Sequence, residues 1–249
     1  MTTIFETLSQ NLDANKLIAT VTIIRGPETG SKLLVWPNGN SLGEFNNKAV
    51  QSAAVQEAMN AFIGMKNTRS ILASADEEVE IFIDIHLPPK KIIIIGAVHI
   101  AMPLVSLATV LGFETIVLDA RAAFATRERF PNADKLIKQW PADALEELAL
   151  DESTSLVFLT HDEKLDNPAL KIALSSPARY IGALGSRKTH VKRLAALTDM
   201  GLSTEQLTRI HAPIGLDLGA RVPEEIALSI LAEIIAVQRG GAAQKKGLK

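Results

Sequence analysis

The chain has 249 residues, with 26 Lys and Arg against 28 Asp and Glu, so its formal charge is -2. That balance gives no general electrostatic pull toward nucleic acid, and aromatic residues at 4% are too few for a base-stacking surface. There is no cysteine, which excludes disulfides, thiolate metal ligands, thiol nucleophiles and persulfide carriage on this chain.

Hydrophobic residues make up 47%, mainly Ala, Ile and Leu, as expected for aliphatic layers packed on a buried sheet. The first twenty residues lack an apolar core followed by a small-residue cleavage site. No apolar run is long enough to span a bilayer, so the expectation is a soluble cytoplasmic protein with no membrane partner.

In chain order, Leu17 to Ile24 and Lys32 to Trp36 are predicted strands, and Pro37-Asn38-Gly39 is a turn. Val50, Ala54, Val55, Ala58 and Phe62 recur at helical spacing. Ile81, Ile83 and Ile85 alternate with Phe82, Asp84 and His86, the pattern of an edge or half-buried strand. Pro88-Pro89 separates this small α/β domain, residues 1–87, from a second domain over residues 90–240. The last residues, 241–249, read as a basic, frayed tail.

Behind the prolines the rhythm becomes βαβ. Lys91 to Ile95 is a continuous apolar run, predicted as a central parallel strand flanked by the strands ending at Leu118 and Leu159. Ile100 to Leu111 is a helix closed by Gly112, and Tyr180 to Leu184 is a further buried strand. Helical patterns follow at Pro168 to Leu174, Ser186 to Met200 and Pro223 to Gln238. The fold class is therefore α/β, a Rossmann-like parallel-sheet domain with a smaller N-terminal α/β domain.

Four stretches could carry chemistry. Gly96-Ala97-Val98-His99 lies between a strand and a helix, with Asp119 at the end of the next strand, as a dinucleotide fingerprint requires. The second glycine is replaced by Val98, whose branched side chain would stand where phosphate oxygens belong, so NAD is not expected; Asp119 could equally pair with Arg121. At Gly185-Ser186-Arg187-Lys188-Thr189, backbone N–H groups, a hydroxyl and two cations meet at a helix start, which suits a phosphate or carboxylate. Ser186 as a plain cap with solvated cations is the alternative, and Arg193 reads as a remote, neutral position on that helix. The segment His211 to Arg221, with Gly215 and Asp217, has the composition of a site-lining loop or of a tight connection. His161-Asp162 follows a strand end, where either ligand contact or helix capping explains it. There is no P-loop, nucleophile elbow or paired-histidine metal motif, so no metal site and no catalytic residue is expected.

These residues resemble the XdhC/CoxI family. The resemblance rests on 181–189, 209–220 and 223–227, on Asp119-Ala120-Arg121 with 124–131, and on Leu159-Thr160-His161-Asp162. It implies an accessory protein, not a metabolic enzyme, that binds molybdenum cofactor and assists its sulfuration by a cysteine desulfurase. It further implies delivery of the cofactor to a molybdenum hydroxylase apoenzyme of the xanthine dehydrogenase type, usually by a homodimer. On that resemblance the cofactor-binding residues are Gly96, His99, Asp119, Arg121, His161, Gly185, Ser186, Arg187, Lys188, His211, Gly215 and Asp217. The chain departs from the family at Val98, usually glycine, and at Asn47-Lys48-Ala49, where Gly-Gly-Cys is usual. A nicotinamide-dependent oxidoreductase, or an interaction module that kept the fold and lost the ligand, are the competing readings.

Overall fold

The computed structural model describes residues 3–73 and 78–240; the tail at 241–249 lies outside the described residues. The chain divides into two compact units, Met1–Pro88 and Pro89–Lys249.

The first unit is an antiparallel sheet under one long helix. Strands β1 (Ile18–Arg25), β2 (Lys32–Val35), β3 (Ser41–Leu42), β4 (Thr68–Ala73) and β5 (Glu78–His86) run in the order β3-β2-β1-β5-β4. Alternate residues Ala19, Val21, Ile23, Ile81, Ile83 and Ile85 turn to one face. There they pack on Val50, Ala54, Ala58 and Phe62 of α2 (Lys48–Gly64), following the period-2 geometry of a strand. The alternation in β5 is that of a half-buried strand, and its place is interior, paired on both sides. A short amphipathic helix, α1 (Ile4–Asp13), precedes the sheet.

The second unit is a six-stranded parallel sheet in the order β11-β10-β9-β6-β7-β8. Its strands are β6 (Lys91–Ile95), β7 (Glu114–Leu118), β8 (Lys135–Ile137), β9 (Thr154–Phe158), β10 (Tyr180–Ala183) and β11 (Ile210–His211). Strand β6 is central, between β7 and β9, as its unbroken apolar run requires. Ile92 and Ile94 face α3 (Ala101–Val110) and α8 (Pro223–Gln238). Ile93 and Ile95 face the opposite layer, made by α4 (Pro141–Glu147), α5 (Glu163–Ser175) and α6 (Arg187–Asp199), with α7 (Thr204–Leu207) beside them. The helix α5 is longer than the apolar pattern suggested. It starts at an Asp162 cap and carries Pro168 in its interior. The chain runs outward from β6 through β7 to β8 and then returns to place β9 on β6's other side. That reversal opens a crevice at the carboxyl ends of β6 and β9.

Candidate functional site

Because all six strands are parallel, their carboxyl ends share one edge, and the four singled-out stretches leave from it. The turn after β6 is internally committed. Gly96 has φ +105°, and a side-chain carbon there would stand 3.0 Å from Thr160 Cγ2 and 3.1 Å from Thr160 N. Its glycine is thus required by the β9 loop, irrespective of any ligand. The Ala97 N–H donates to Asp119 Oδ2 at 2.9 Å. Asp119, 2% exposed, also accepts from Arg121 N, Nε and Nη2 at 2.9, 2.9 and 2.7 Å. Burial pushes its pKa up, but these hydrogen bonds outweigh that and hold the carboxyl below its ordinary value. The Arg121 guanidinium lies 4.4 Å over the Phe124 ring and senses the Asp162 carboxylate, so the loops after β7 and β9 approach one another.

After β9, His161 is exposed and has φ +60°, a conformation that costs a non-glycine residue energy. Asp162 caps α5 by accepting from Lys164 N at 2.9 Å. After β10, Gly185 (φ +143°) brings the chain to Ser186, which caps α6 by accepting from Thr189 N at 3.1 Å. Arg187 and Lys188 are exposed on the first turn of α6. Arg193, one to two turns on, is not remote. It is buried, its Nη2 donates to Leu184 O at 3.0 Å, and it lies 3.8 Å from Asp166 Oδ2. The residue expected to be neutral is therefore part of the floor of this edge.

At the β11 end a buried carboxylate collects three elements. Glu233 of α8, 3% exposed, accepts from Tyr180 Oη at 2.6 Å and from Gly215 N at 2.8 Å, and its Oε1 lies 3.4 Å from His211 Nδ1. The His211 and Tyr180 rings stack at 4.8 Å. Burial raises the Glu233 pKa, but the contacts with His211, Tyr180 and Gly215 hold it below its ordinary value. Burial, with the negative charge of Glu233, pushes the Tyr180 phenol well up.

The sequence model of the XdhC Rossmann domain matches residues 92–234. The chain belongs to the XdhC family. Among curated relatives of this XdhC chain, a probable xanthine dehydrogenase subunit from Bacillus subtilis is 35% identical over 164 residues, 66% of this chain and 48% of the relative. The molybdenum cofactor insertion chaperone PaoD of Escherichia coli is 32% identical over 151 residues, covering 61% of this chain and 41% of that protein. The uncharacterized protein YqeB of Escherichia coli is 27% identical over 223 residues, 85% of this chain and 41% of that protein. The chain thus spans less than half the length of these relatives. A crystal structure of a xanthine dehydrogenase from Bacillus halodurans superposes with a TM-score of 0.67 at 27% identity, covering 94% of this chain and 66% of that one.

Within this XdhC domain, Gly96, Asp119, Arg121, His161, Gly185, Ser186, Arg187, Lys188 and His211 leave from neighbouring strand ends. His99 instead lines a groove of about 500 Å³ with Met102, Pro103, Arg129, Pro131 and Glu224, on the α3 and α8 side. Gly215 serves helix packing: a side-chain carbon there would stand 2.4 Å from Ser229 Oγ. Asp217 is exposed in the same loop. Among the described residues, no cluster of three or more His, Asp or Glu is arranged to hold a metal ion, and no helix is long and apolar enough to cross a membrane. Asp166, Arg193 and Glu233 are buried polar residues behind this candidate site that the sequence patterns did not single out. The signal was present, since Glu233 interrupts the apolar face of Ile230 and Ile234, and Arg193 sits one turn before buried Leu197. In the N-terminal unit, Ala49 is exposed in the first turn of α2, where the Asn47 side chain accepts from Ala49 N and Val50 N at 3.0 and 3.2 Å.

Proposed function

We propose that this chain is an accessory protein of molybdenum-hydroxylase maturation that holds the molybdenum cofactor as cargo at the carboxyl edge of its parallel sheet. The observation that carries the reading is the arrangement of the family's motifs on adjacent strand ends, flanking the crevice where open α/β sheets take ligands. The names of two relatives, an insertion chaperone and a xanthine dehydrogenase subunit, point the same way. The first turn of α6 offers the group that fits the cofactor's phosphate: a helix amino terminus behind Gly185, the Ser186 hydroxyl, and the cations Arg187 and Lys188. With no cysteine, the chain cannot carry the sulfur as a persulfide of its own. A cysteine desulfurase partner would supply it, and the hydroxylase apoenzyme would receive the product. A cytoplasmic homodimer is part of the same proposal.

An oxidoreductase reading is disfavoured by Asp119, since the acid that would meet a ribose hydroxyl is bonded on both oxygens to Arg121 and Ala97. The test is co-expression with a cofactor-producing host, followed by oxidation of the purified protein and fluorescence detection of released pterin. Pterin is expected with the wild type. Arg187→Ala is expected to retain it about ten- to a hundredfold less tightly, the loss of one charge-assisted contact of about 1.5–3 kcal/mol. Equal retention by wild type and Arg187→Ala would remove the phosphate site, a co-purified nicotinamide would favour the oxidoreductase, and no ligand the interaction module.

A further inference from the structure

Two buried groups at this edge are short of partners. Arg193 on α6 is 4% exposed and Asp166 on α5 is 1% exposed, yet Arg193 Nη1 and Asp166 Oδ2 have no hydrogen-bond partner. Buried polar atoms are normally satisfied, and a guanidinium beside a carboxylate normally closes to about 2.8 Å. Here the separation is 3.8 Å. The remaining bonds of both groups run outward to two different loops. Thr160 Oγ1, just past β9, donates to Asp166 Oδ1 at 2.6 Å and accepts from Asp162 N at 3.1 Å. Arg193 Nη2 donates to Leu184 O, just past β10. A side-chain carbon at Gly185 would stand 3.8 Å from that same Nη2. The guanidinium therefore sits directly behind the glycine that opens the α6 amino terminus.

We propose that Asp166 and Arg193 are a positioning pair that ties the loop after β9 to the turn after β10, and so sets the geometry in which the α6 amino terminus meets an anion. Neither residue touches the anion. The consequence for anion affinity rests on the phosphate site proposed above, whereas the tie between the two loops does not. Because the pair is under-bonded, a small movement of either loop can tighten or open it, which a fully closed ion pair resists.

The charges around the pair make the tie sensitive to protons. Burial is the largest influence on Asp166 and raises its pKa to about 6; the Thr160 hydrogen bond and Arg193 pull it down, and Asp162 pushes it up. Arg193 in turn feels Asp166 and Glu163. Across neutral and mildly acid pH the carboxyl therefore changes charge, and its attraction for Arg193 changes with it.

Two readouts on the intact chain test this. The first needs no ligand. The backbone amide signals of Thr160 and Gly185, followed by NMR from pH 5 to 7.5, are expected to shift with a shared midpoint near 6, and Asp166→Asn is expected to abolish that shift. The second uses sulfate, which does not titrate in this range. Arg193→Lys keeps the charge but loses the fork that reaches both partners. It is expected to weaken sulfate binding at least fivefold, while the exposed neighbour Lys192→Ala leaves it unchanged. A Gly185 amide indifferent to pH, or one that titrates identically in Asp166→Asn, overturns the pair. So does wild-type sulfate affinity in Arg193→Lys. Absence of sulfate binding by the wild type, with Gly185 titrating as described, instead overturns the phosphate site and leaves the tie standing.

Discussion

The turns after β6 and β10 look alike along the chain, each being an apolar strand, a glycine of positive φ and a helix start. They differ in what their donors and buried carboxylates do. After β6, Ala97 N–H is spent on Asp119, Val98 packs against the core under α3, and the carboxylate is fully bonded. After β10, Ser186 caps its helix, two cations stand exposed on the first turn, and the carboxylate behind them, Asp166, is under-bonded. The Asp119 pKa lies below its ordinary value and that of Asp166 above it. A strand–glycine–helix turn is thus a scaffold only; what separates these two is that the buried carboxylate beside the first is fully bonded and the one behind the second is not.

The largest expected effect probes the committed turn. Asp119→Ala should cost about 3 kcal/mol in denaturant unfolding, because a buried Ala97 N–H loses its acceptor and Arg121 its partner. A neutral result would mean that Asp119 is held in reserve for a ligand and that the two turns do not differ as described. Next comes pH. Folded Asp166 keeps its proton up to about 6, against an ordinary value of 3.8. Between these values the folded state binds more protons than the unfolded one, so stability must fall as pH rises from about 4 to 6, by roughly 2–3 kcal/mol from this group. Asp119, with its lowered pKa, works in the opposite sense and loses its contribution as pH falls. Chemical unfolding across that range should show the Asp166 component vanish in Asp166→Asn, and an unaltered slope would contradict the account.

Gly96→Ala should cost about 2 kcal/mol, since positive φ and the Thr160 backbone both oppose a side chain. Gly185→Ala carries the same positive-φ strain, but it meets side chains, Thr189 at 3.2 Å and Arg193 Nη2 at 3.8 Å, and no backbone, so its stability loss should be smaller and its loss of sulfate affinity larger. The reverse pattern in thermal melts and titrations would invert the comparison. The smallest effect is Val98→Gly, which removes a half-buried side chain and frees the backbone for about 1 kcal/mol. Opening that space alone should create no low-micromolar affinity for NAD by calorimetry, because Ala97 N–H and Asp119 stay engaged.

The parallel core and the order at its centre are legible in the residues alone. The unbroken run Lys91 to Ile95 has no polar face to show water, so only a position between two strands and two helix layers suits it. The same reasoning located the strand-end turns and offered Ser186 as a cap, one of two alternatives, because glycine, Ser and Asp act on the backbone within a few residues of themselves. The short strands β8 and β11 offered no periodicity to read, and β4 lay in a stretch whose alternation was too weak to separate from loop. Which polar groups remain available is settled only once the chain is packed. Asp119 is consumed by a residue two positions on and by another 22 positions back. Glu233 reaches 53 positions to Tyr180, and Arg193 meets Asp166 across two helices that touch only when packed on the sheet. Hydrogen bonding saturates a group once, and the partner that saturates it is fixed by proximity in space, which these separations in sequence do not encode.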